Sequence, residues 1–281
     1  MSLRFTKMHG LGNDYIYVSL FDQTVGDPVE LARRMSDRHR GIGADGLILV
    51  APSETPDAHV RMIMYNADGS RAEMCGNGIR CLAKLAYERG LARANPLRVQ
   101  TDRGVLSLEL ALDHAGRVSA VRVDMGPPVL DPRRIPVKVD GERVIAWPLK
   151  LAGQTLAMTC VSMGNPHAVF FVPDVAAVPL AAWGPQVERH PLFPERINAH
   201  FAQVLARDRV RMVTWERGAG VTLACGTGAS AVCVAARLNR LTGPAITAEL
   251  PGGELQLEWD GATDHVFMTG PAEEVFTGEW P

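Results

Sequence analysis

The sequence predicts an α+β fold built from two similar domains in tandem. Three observations lead there: the length, an internal repeat of chemical landmarks, and the alternation of short strand-like runs with one long helical pattern per half. A chain of 281 residues is about two average domains long. Apolar residues make up 47% and charged residues 21%, so each half can bury a full core. Gly12-Asn13 and Gly164-Asn165 both precede a strand-like run, with the two asparagines 152 residues apart. Cys75-Gly76-Asn77-Gly78 and Cys225-Gly226-Thr227-Gly228 both open an apolar helix, with the cysteines 150 apart. Nine residues before each cysteine stands a polar residue, Asn66 in one half and Glu216 in the other. Gly46 lies 33 residues after Asn13, and Asn198 lies 33 after Asn165. Landmarks in one order at near-constant offset indicate duplication rather than chance turn chemistry.

In chain order, Tyr15–Leu20 reads as a strand, being aromatic and β-branched after a glycine-rich loop. Asp27-Pro28 opens a helix that should run to about Arg38 and stop before Gly41. Leu47–Val50 and Val60–Tyr65 are strands, and Asn66-Ala67-Asp68-Gly69 is a turn. Ile79, Leu82, Ala83, Leu85 and Ala86 have helical spacing within Gly76–Arg89, and Gly90 is the stop. Leu97–Thr101, Val105–Leu112 and Val118–Asp124 follow as strands of a meander. Gly126-Pro127-Pro128 is the expected linker, because two prolines resist both helix and central strand. Beyond it come a strand at His167–Val172, a helix at Leu180–Arg189 and a strand at Val210–Trp215. A helix at Gly228–Leu241, ending at Gly243, and a hairpin of Ile246–Leu250 with Glu254–Trp259 complete the second half. The expected domains are therefore 1–125 and 126–270.

Composition excludes several functions. The net charge of −2 argues against a partner with a phosphate backbone, so no nucleic acid is expected. Only Lys7, Lys84, Lys138 and Lys150 are available as a Schiff-base lysine. Five cysteines without a C-x-x-C pair suit neither a disulfide framework nor a thiolate metal site, so no metal is expected. Met1–Asp14 carries charge and no apolar core, which does not read as a signal peptide. No apolar stretch approaches the ~20 residues of a membrane span. The cytoplasm is the expected compartment.

The paired cysteines carry the chemistry. Each C-G-x-G stands where the chain enters a helix, and a helix N-terminus offers unpaired N–H groups and about half a positive charge. That field favours a thiolate, and the glycines let backbone amides approach an anion. One such cysteine alone would read equally well as a small buried hydrophobe. Two at matching places in repeated halves read as a pair. If the halves pack about a pseudo-twofold axis, both thiols meet in one interdomain cleft, on opposite faces of a substrate α-carbon. One removes a proton and the other delivers one, while N–H donors stabilise the enolate-like charge. No cofactor is required. The halves differ where a thiol needs a proton partner: His167 stands where the first half has Tyr15, and Glu216 stands opposite Asn66.

The stretches MHGLGNDYIYV, RHRGIGADG, MYNADGSRAEMCGNGIRCLA, VSMGNPHAVFFV, ERINAHF and WERGAGVTLACGTGASA resemble the diaminopimelate epimerase family, pyridoxal-independent enzymes of lysine and cell-wall precursor synthesis. The resemblance spans nearly the whole chain. It implies two pseudo-symmetric domains, each a curved, mostly antiparallel sheet around a central helix. The last strand, near Val275–Trp280, would return to complete the first domain, adding 271–281 to it. It further implies that Cys75 and Cys225 are the acid/base pair, with His167 and Glu216 adjusting their protonation. By the same carry-over, Asn13, Asn66, Asn165, Asn198, Glu216 and Arg217 bind substrate, with the loop positions Gly76, Asn77, Gly226 and Thr227. Diaminopimelate has an amino-acid head at each end, and a guanidinium such as that of Arg217 can grip the distal carboxylate in a bidentate fork. Asparagines both donate and accept, which suits an ammonium beside a carboxylate.

The chain departs from the family pattern at three places. Gly46 stands where many relatives have a glutamine, Val221 where a glutamate is usual, and Phe276 where a tyrosine often forms the dimer contact. A homodimer is still implied. Cys81, Cys160 and Cys233 read as core residues. Three competitors remain: a related racemase acting on proline, hydroxyproline or histidine; a thiol redox protein cycling Cys75 and Cys225; and a binding protein that kept the fold. Arg217 and the asparagines oppose the first, the long cysteine spacing the second, and the retention of both cysteines the third.

Overall fold

The computed structural model describes residues 2–281, which fall into two units: residues 2–123 with 269–281, and residues 124–268. The first unit runs β1 (Leu3–Gly10), β2 (Asn13–Ser19), α1 (Pro28–Ser36), β3 (Gly46–Pro52), β4 (Val60–Asn66), β5 (Arg71–Ala72), α2 (Gly76–Glu88), β6 (Leu97–Thr101), β7 (Gly104–Leu112) and β8 (Val118–Asp124). The C-terminal strand, Glu273–Trp280, pairs antiparallel with β1. From there the sheet continues β1–β2 antiparallel, β2–β3 parallel, β3–β4 antiparallel and β4–β6 parallel. The β6–β7 and β7–β8 pairs are antiparallel. This sheet curves around α2, which touches β1, β2, β3, β4 and β7. Ten of its thirteen residues are buried, so α2 is a core helix rather than an amphipathic surface one.

The second unit repeats this plan. Its elements are β9 (Trp147–Leu151), β10 (Gln154–Ser162), β11 (Pro166–Phe171), α3 (Leu180–Glu188), β12 (Asn198–Ala206), β13 (Arg209–Glu216), β14 (Gly220–Thr222), α4 (Gly226–Leu238), β15 (Ala245–Leu250), β16 (Gly253–Trp259) and β17 (Val266–Gly270). The pairs β10–β11, β12–β13 and β15–β16 are antiparallel, and β11–β12 and β13–β15 are parallel. That is the order and sense of β1 to β7. The register repeats as well: Tyr15 pairs with Gly46 across β2–β3, and His167 pairs with Asn198 across β11–β12. The fold is mixed α and β, with few helices and mostly antiparallel strands, as the sequence predicts.

Helix ends show where local chemistry decides. Asp27 caps α1 by accepting from the Val29 and Glu30 amides, with Pro28 in the first position. The helix stops two residues short of Arg38, because the Asp37 carboxylate turns back to accept from the His39 and Arg40 amides. α4 begins two residues earlier than expected, at Gly226, and ends at Leu238 rather than Leu241. Arg240 there adopts φ 59°, and the Leu241 amide bonds the Ala236 carbonyl. The strand β1 is unforeseen, because Lys7 interrupts its apolar pattern. Lys7 is nonetheless buried, ion-paired with Asp14 at 2.5 Å and bonded to the Gly43 carbonyl.

Candidate active site

Each cysteine of the repeat is the residue immediately before its buried helix. Cys75 caps α2 with φ −134° and ψ 124°, and Cys225 caps α4 with φ −125° and ψ 106°. Both thiols therefore sit among the unpaired N–H groups of a helix start. The turn before each following strand is also shared, with Gly12 at φ 83° and Gly164 at φ 93° placing Asn13 and Asn165.

In the first unit the Cys75 thiol donates to Asn13 Oδ1 at 3.4 Å and accepts from the Gly78 amide at 3.5 Å. The Tyr15 hydroxyl donates to Cys75 Sγ at 3.6 Å. Burial, and then the neighbouring Cys75, push the Tyr15 hydroxyl well above its ordinary range, so it stays protonated. Asn77 Nδ2 donates to Asn13 Oδ1 at 3.2 Å, and the fully buried Arg80 holds Asn77 Oδ1 at 3.0 Å and the Gly76 carbonyl at 3.1 Å. Asp45 fixes the other end of Asn13 by accepting from Nδ2 at 2.7 Å. So Cys75, Asn13, Gly76 and Asn77 form one connected group. Asn66 lies across Gly46 from Tyr15 in the sheet, and its Nδ2 donates to Ser70 Oγ at 2.9 Å.

In the second unit Cys225 is buried, and its Sγ lies 3.6 Å from Thr227 Oγ1. Burial chiefly, and then the charge of Glu216, push this thiol well up, against opposing bonds from Thr227 and the Gly228 amide. Glu216 Oε1 accepts from the Thr222 hydroxyl at 2.6 Å. His167 is fully buried, with Nδ1 2.9 Å from His200 Nε2 and Nε2 2.9 Å from Asn165 Oδ1. Burial, then His200, hold His167 well below its ordinary value. Both ring nitrogens of His167 are thus within hydrogen-bond distance of side chains of its own unit, Asn165 and His200.

Asn198 is buried between two backbone groups, donating to the Pro166 carbonyl at 2.8 Å and accepting from the Arg217 amide at 2.9 Å. The exposed Arg217 side chain donates to the Glu195 carbonyl at 2.9 Å. Its loop is tied from below by the buried Glu188, which accepts from Trp215 Nε1 at 2.7 Å and the Gly218 amide at 3.1 Å. Tyr15, Asp45, Glu188 and His200 join these groups, although the sequence motifs assign none of them a role at the site. For Tyr15 the signal was its alignment with His167 in the repeat.

The departures from the family pattern have local causes or consequences. A Cβ at Gly46 would lie 2.2 Å from the Tyr65 carbonyl oxygen, so this backbone admits no side chain there. Val221 is exposed on β14, opposite Trp215 and one residue before Thr222. Phe276 is exposed on the C-terminal strand, edge-on to Phe5 at 5.9 Å. The remaining cysteines are buried, and burial pushes Cys81 to about 11, Cys233 to about 12 and Cys160 higher still. Among the described residues no group of three or more His, Cys, Asp or Glu side chains could hold a metal ion. Among the described residues no helix is long and apolar enough to cross a membrane.

The family model described as diaminopimelate epimerase matches residues 5–130 and 159–275. A diaminopimelate epimerase of Acetivibrio thermocellus is 53% identical over 277 residues, covering 99% of this chain and 98% of the relative. That of Moorella thermoacetica is 52% identical, covering 99% of both. Among solved structures, a phenazine biosynthesis protein of the PhzF family from Bacillus anthracis aligns with a TM-score of 0.71 at 15% identity, covering 100% of this chain and 99% of that one. A hydroxyproline epimerase from Agrobacterium vitis aligns with a TM-score of 0.66 at 14% identity, covering 99% and 90%. These two likenesses concern the fold.

Proposed function

The chain belongs to the diaminopimelate epimerase family, and on that premise we propose how its residues divide the work of interconverting LL- and meso-diaminopimelate. Cys75 and Cys225 are the two bases. One, as thiolate, takes the α-proton, and the other, as thiol, returns a proton to the opposite face of the same carbon. The carrying observation is that both stand in one structural position, as the cap of a buried helix. The amides of Gly76, Asn77, Gly226 and Thr227 lie in the first turn of each helix, where they can stabilise the negative charge that grows on the substrate carboxylate.

Burial first, and then the charge of Glu216, favour the protonated form of Cys225, which suits that thiol to be the acid when Cys75 is the base. The reverse direction exchanges the roles. Asn13 holds Cys75 and is itself held by Asn77, and Asn66, Asn165 and Asn198 complete the substrate contacts. Arg217, at the tip of the loop fixed by Asn198 and Glu188, takes the distal carboxylate. The thiols and amides supply the chemistry without a cofactor. We further propose a cytoplasmic enzyme of lysine and peptidoglycan precursor synthesis, working as a homodimer with Phe276 in the contact.

The test is solvent exchange at carbon. In deuterium oxide, LL-diaminopimelate should gain deuterium at its α-carbon at a rate comparable with epimerisation. Exchange absent on diaminopimelate but present on another amino acid would overturn the assignment.

A further inference from the structure

In the second unit a file of buried polar side chains runs behind Asn165, and its far members have no part in the chemistry described so far. His167, His200 and Thr214 are each at most 2% exposed. His200 Nδ1 lies 3.0 Å from Thr214 Oγ1, His200 Nε2 lies 2.9 Å from His167 Nδ1, and His167 Nε2 lies 2.9 Å from Asn165 Oδ1. Only one assignment of protons satisfies every contact when both rings are neutral. Asn165 Oδ1 can only accept, so His167 Nε2 carries its proton and Nδ1 accepts. His200 must then donate from Nε2 and accept at Nδ1 from the Thr214 hydroxyl. Burial keeps His200 neutral, down to about 3, and lowers His167 too.

The first unit solves the same problem in reverse. There Asp45 accepts from Asn13 Nδ2, which leaves Oδ1 facing Cys75. The residue at the His200 position of that unit is Ile48, and both side chains pack against the glycine in the first turn of the helix. A Cβ at Gly78 would meet Ile48 at 2.7 Å, and one at Gly228 would meet His200 at 2.2 Å. The apolar position has become a donor only where the asparagine is held by its oxygen.

We infer that His200 is a positioning residue: by fixing His167 as its Nε2–H tautomer, it turns Asn165 so that the amide N–H groups face outward to a substrate carboxylate. The inference rests on the reading of Asn165 as a substrate contact. Asn165 is half-buried, as that role requires.

The experiment combines kinetics with 15N spectra of the imidazoles. His200→Leu removes the donor and should raise KM for diaminopimelate about tenfold with little change in kcat. His200→Gln keeps an amide donor in the same place and should stay within about threefold of the wild type. His167 should show a protonated Nε2 and a bare Nδ1 in the wild-type spectrum, and His200→Leu should lose that single tautomer. Because His200 acts through Asn165, His200→Leu/Asn165→Ala should have the KM of Asn165→Ala alone. An unchanged KM and His167 signature in His200→Leu would overturn the inference, as would multiplicative effects in the double variant. If Asn165→Ala alone leaves KM unaltered, the substrate reading fails, while the spectra still report on the His200–His167 contact. Should His200→Leu fail to fold, Thr214→Val removes the donor to His200 and should raise KM two- to fivefold. No change there also overturns it.

Discussion

Tyr15 donates its hydroxyl to Cys75 Sγ at 3.6 Å, and the same position of the second unit holds His167, turned to Asn165 instead. The duplicated frame therefore carries two different supports. Tyr15 stays protonated because burial opposes its phenolate, so its O–H remains available to donate to the sulfur. A donor of this kind favours the thiolate that Cys75 must become. Tyr15→Phe should lower kcat/KM about tenfold, and slow alkylation of Cys75 at fixed pH, while the fold persists. Such a loss corresponds to ~1.4 kcal/mol, within reach of one hydrogen bond to a charged group. Unchanged alkylation would show that the hydroxyl serves packing alone.

Replacing either base should be far more severe. Cys75→Ser and Cys225→Ser each leave a hydroxyl that barely ionises at neutral pH, so epimerisation should fall by orders of magnitude. Circular dichroism should be unchanged, since serine fits both cap positions. A fully active Cys225→Ser enzyme would end the two-base mechanism.

The Cys225 thiol is raised first by burial and second by Glu216. Glu216→Gln removes the second cause, so the inflection for alkylation of Cys225 should move to lower pH. The sign follows from charge: without a neighbouring carboxylate the thiolate is less disfavoured. Peptide mass spectrometry across a pH series reads the rate at this one cysteine. An inflection that stays put or rises would separate Glu216 from Cys225.

Buried neutral histidines also set acid tolerance. An unfolded histidine takes a proton near pH 6.5, whereas His200 in the fold resists until about 3. Between those values the unfolded chain binds a proton that the native one does not, so stability falls as pH falls. The loss is about 1.4 kcal/mol per pH unit, or about 2 kcal/mol from pH 6.5 to 5. Urea unfolding of His200→Gln should show a pH slope shallower by about that amount per unit. Equal slopes would mean that His200 is protonated in the native state.

The helix ends explain how far the sequence could be read. Gly90 terminates α2 with φ 73°, and glycine is the ordinary signal for that conformation. Its counterpart 150 residues on is Arg240, which adopts φ 59° and gives no such signal, so the sequence pattern carries the second helix three residues past its end at Leu238. The cysteines were legible because they repeat at fixed spacing beside glycines. Tyr15 shows only as the counterpart of His167, and His200 less still, since each acts through a partner that folding alone brings close. His200 lies 33 residues from His167 and meets it only through the parallel β11–β12 pairing. What marks it in the sequence is a polar residue where the other half has Ile48.

Gly228 offers a direct test of that packing. A methyl group there would lie 2.2 Å from His200 Cε1, on a ring held at both nitrogens and unable to swing aside. At Gly78 the obstacle is the Cδ1 tip of Ile48 at 2.7 Å, which a rotamer change can move. Overpacking costs typically ~1–3 kcal/mol, and the rigid neighbour should put Gly228→Ala at the upper end. Gly78→Ala should cost about 1 kcal/mol or less. The KM of Gly228→Ala should also rise, because His200 can yield only by releasing His167. Denaturant midpoints and KM measured side by side decide it: equal costs, or a Gly228→Ala enzyme with native KM, would mean that the ring is free to move.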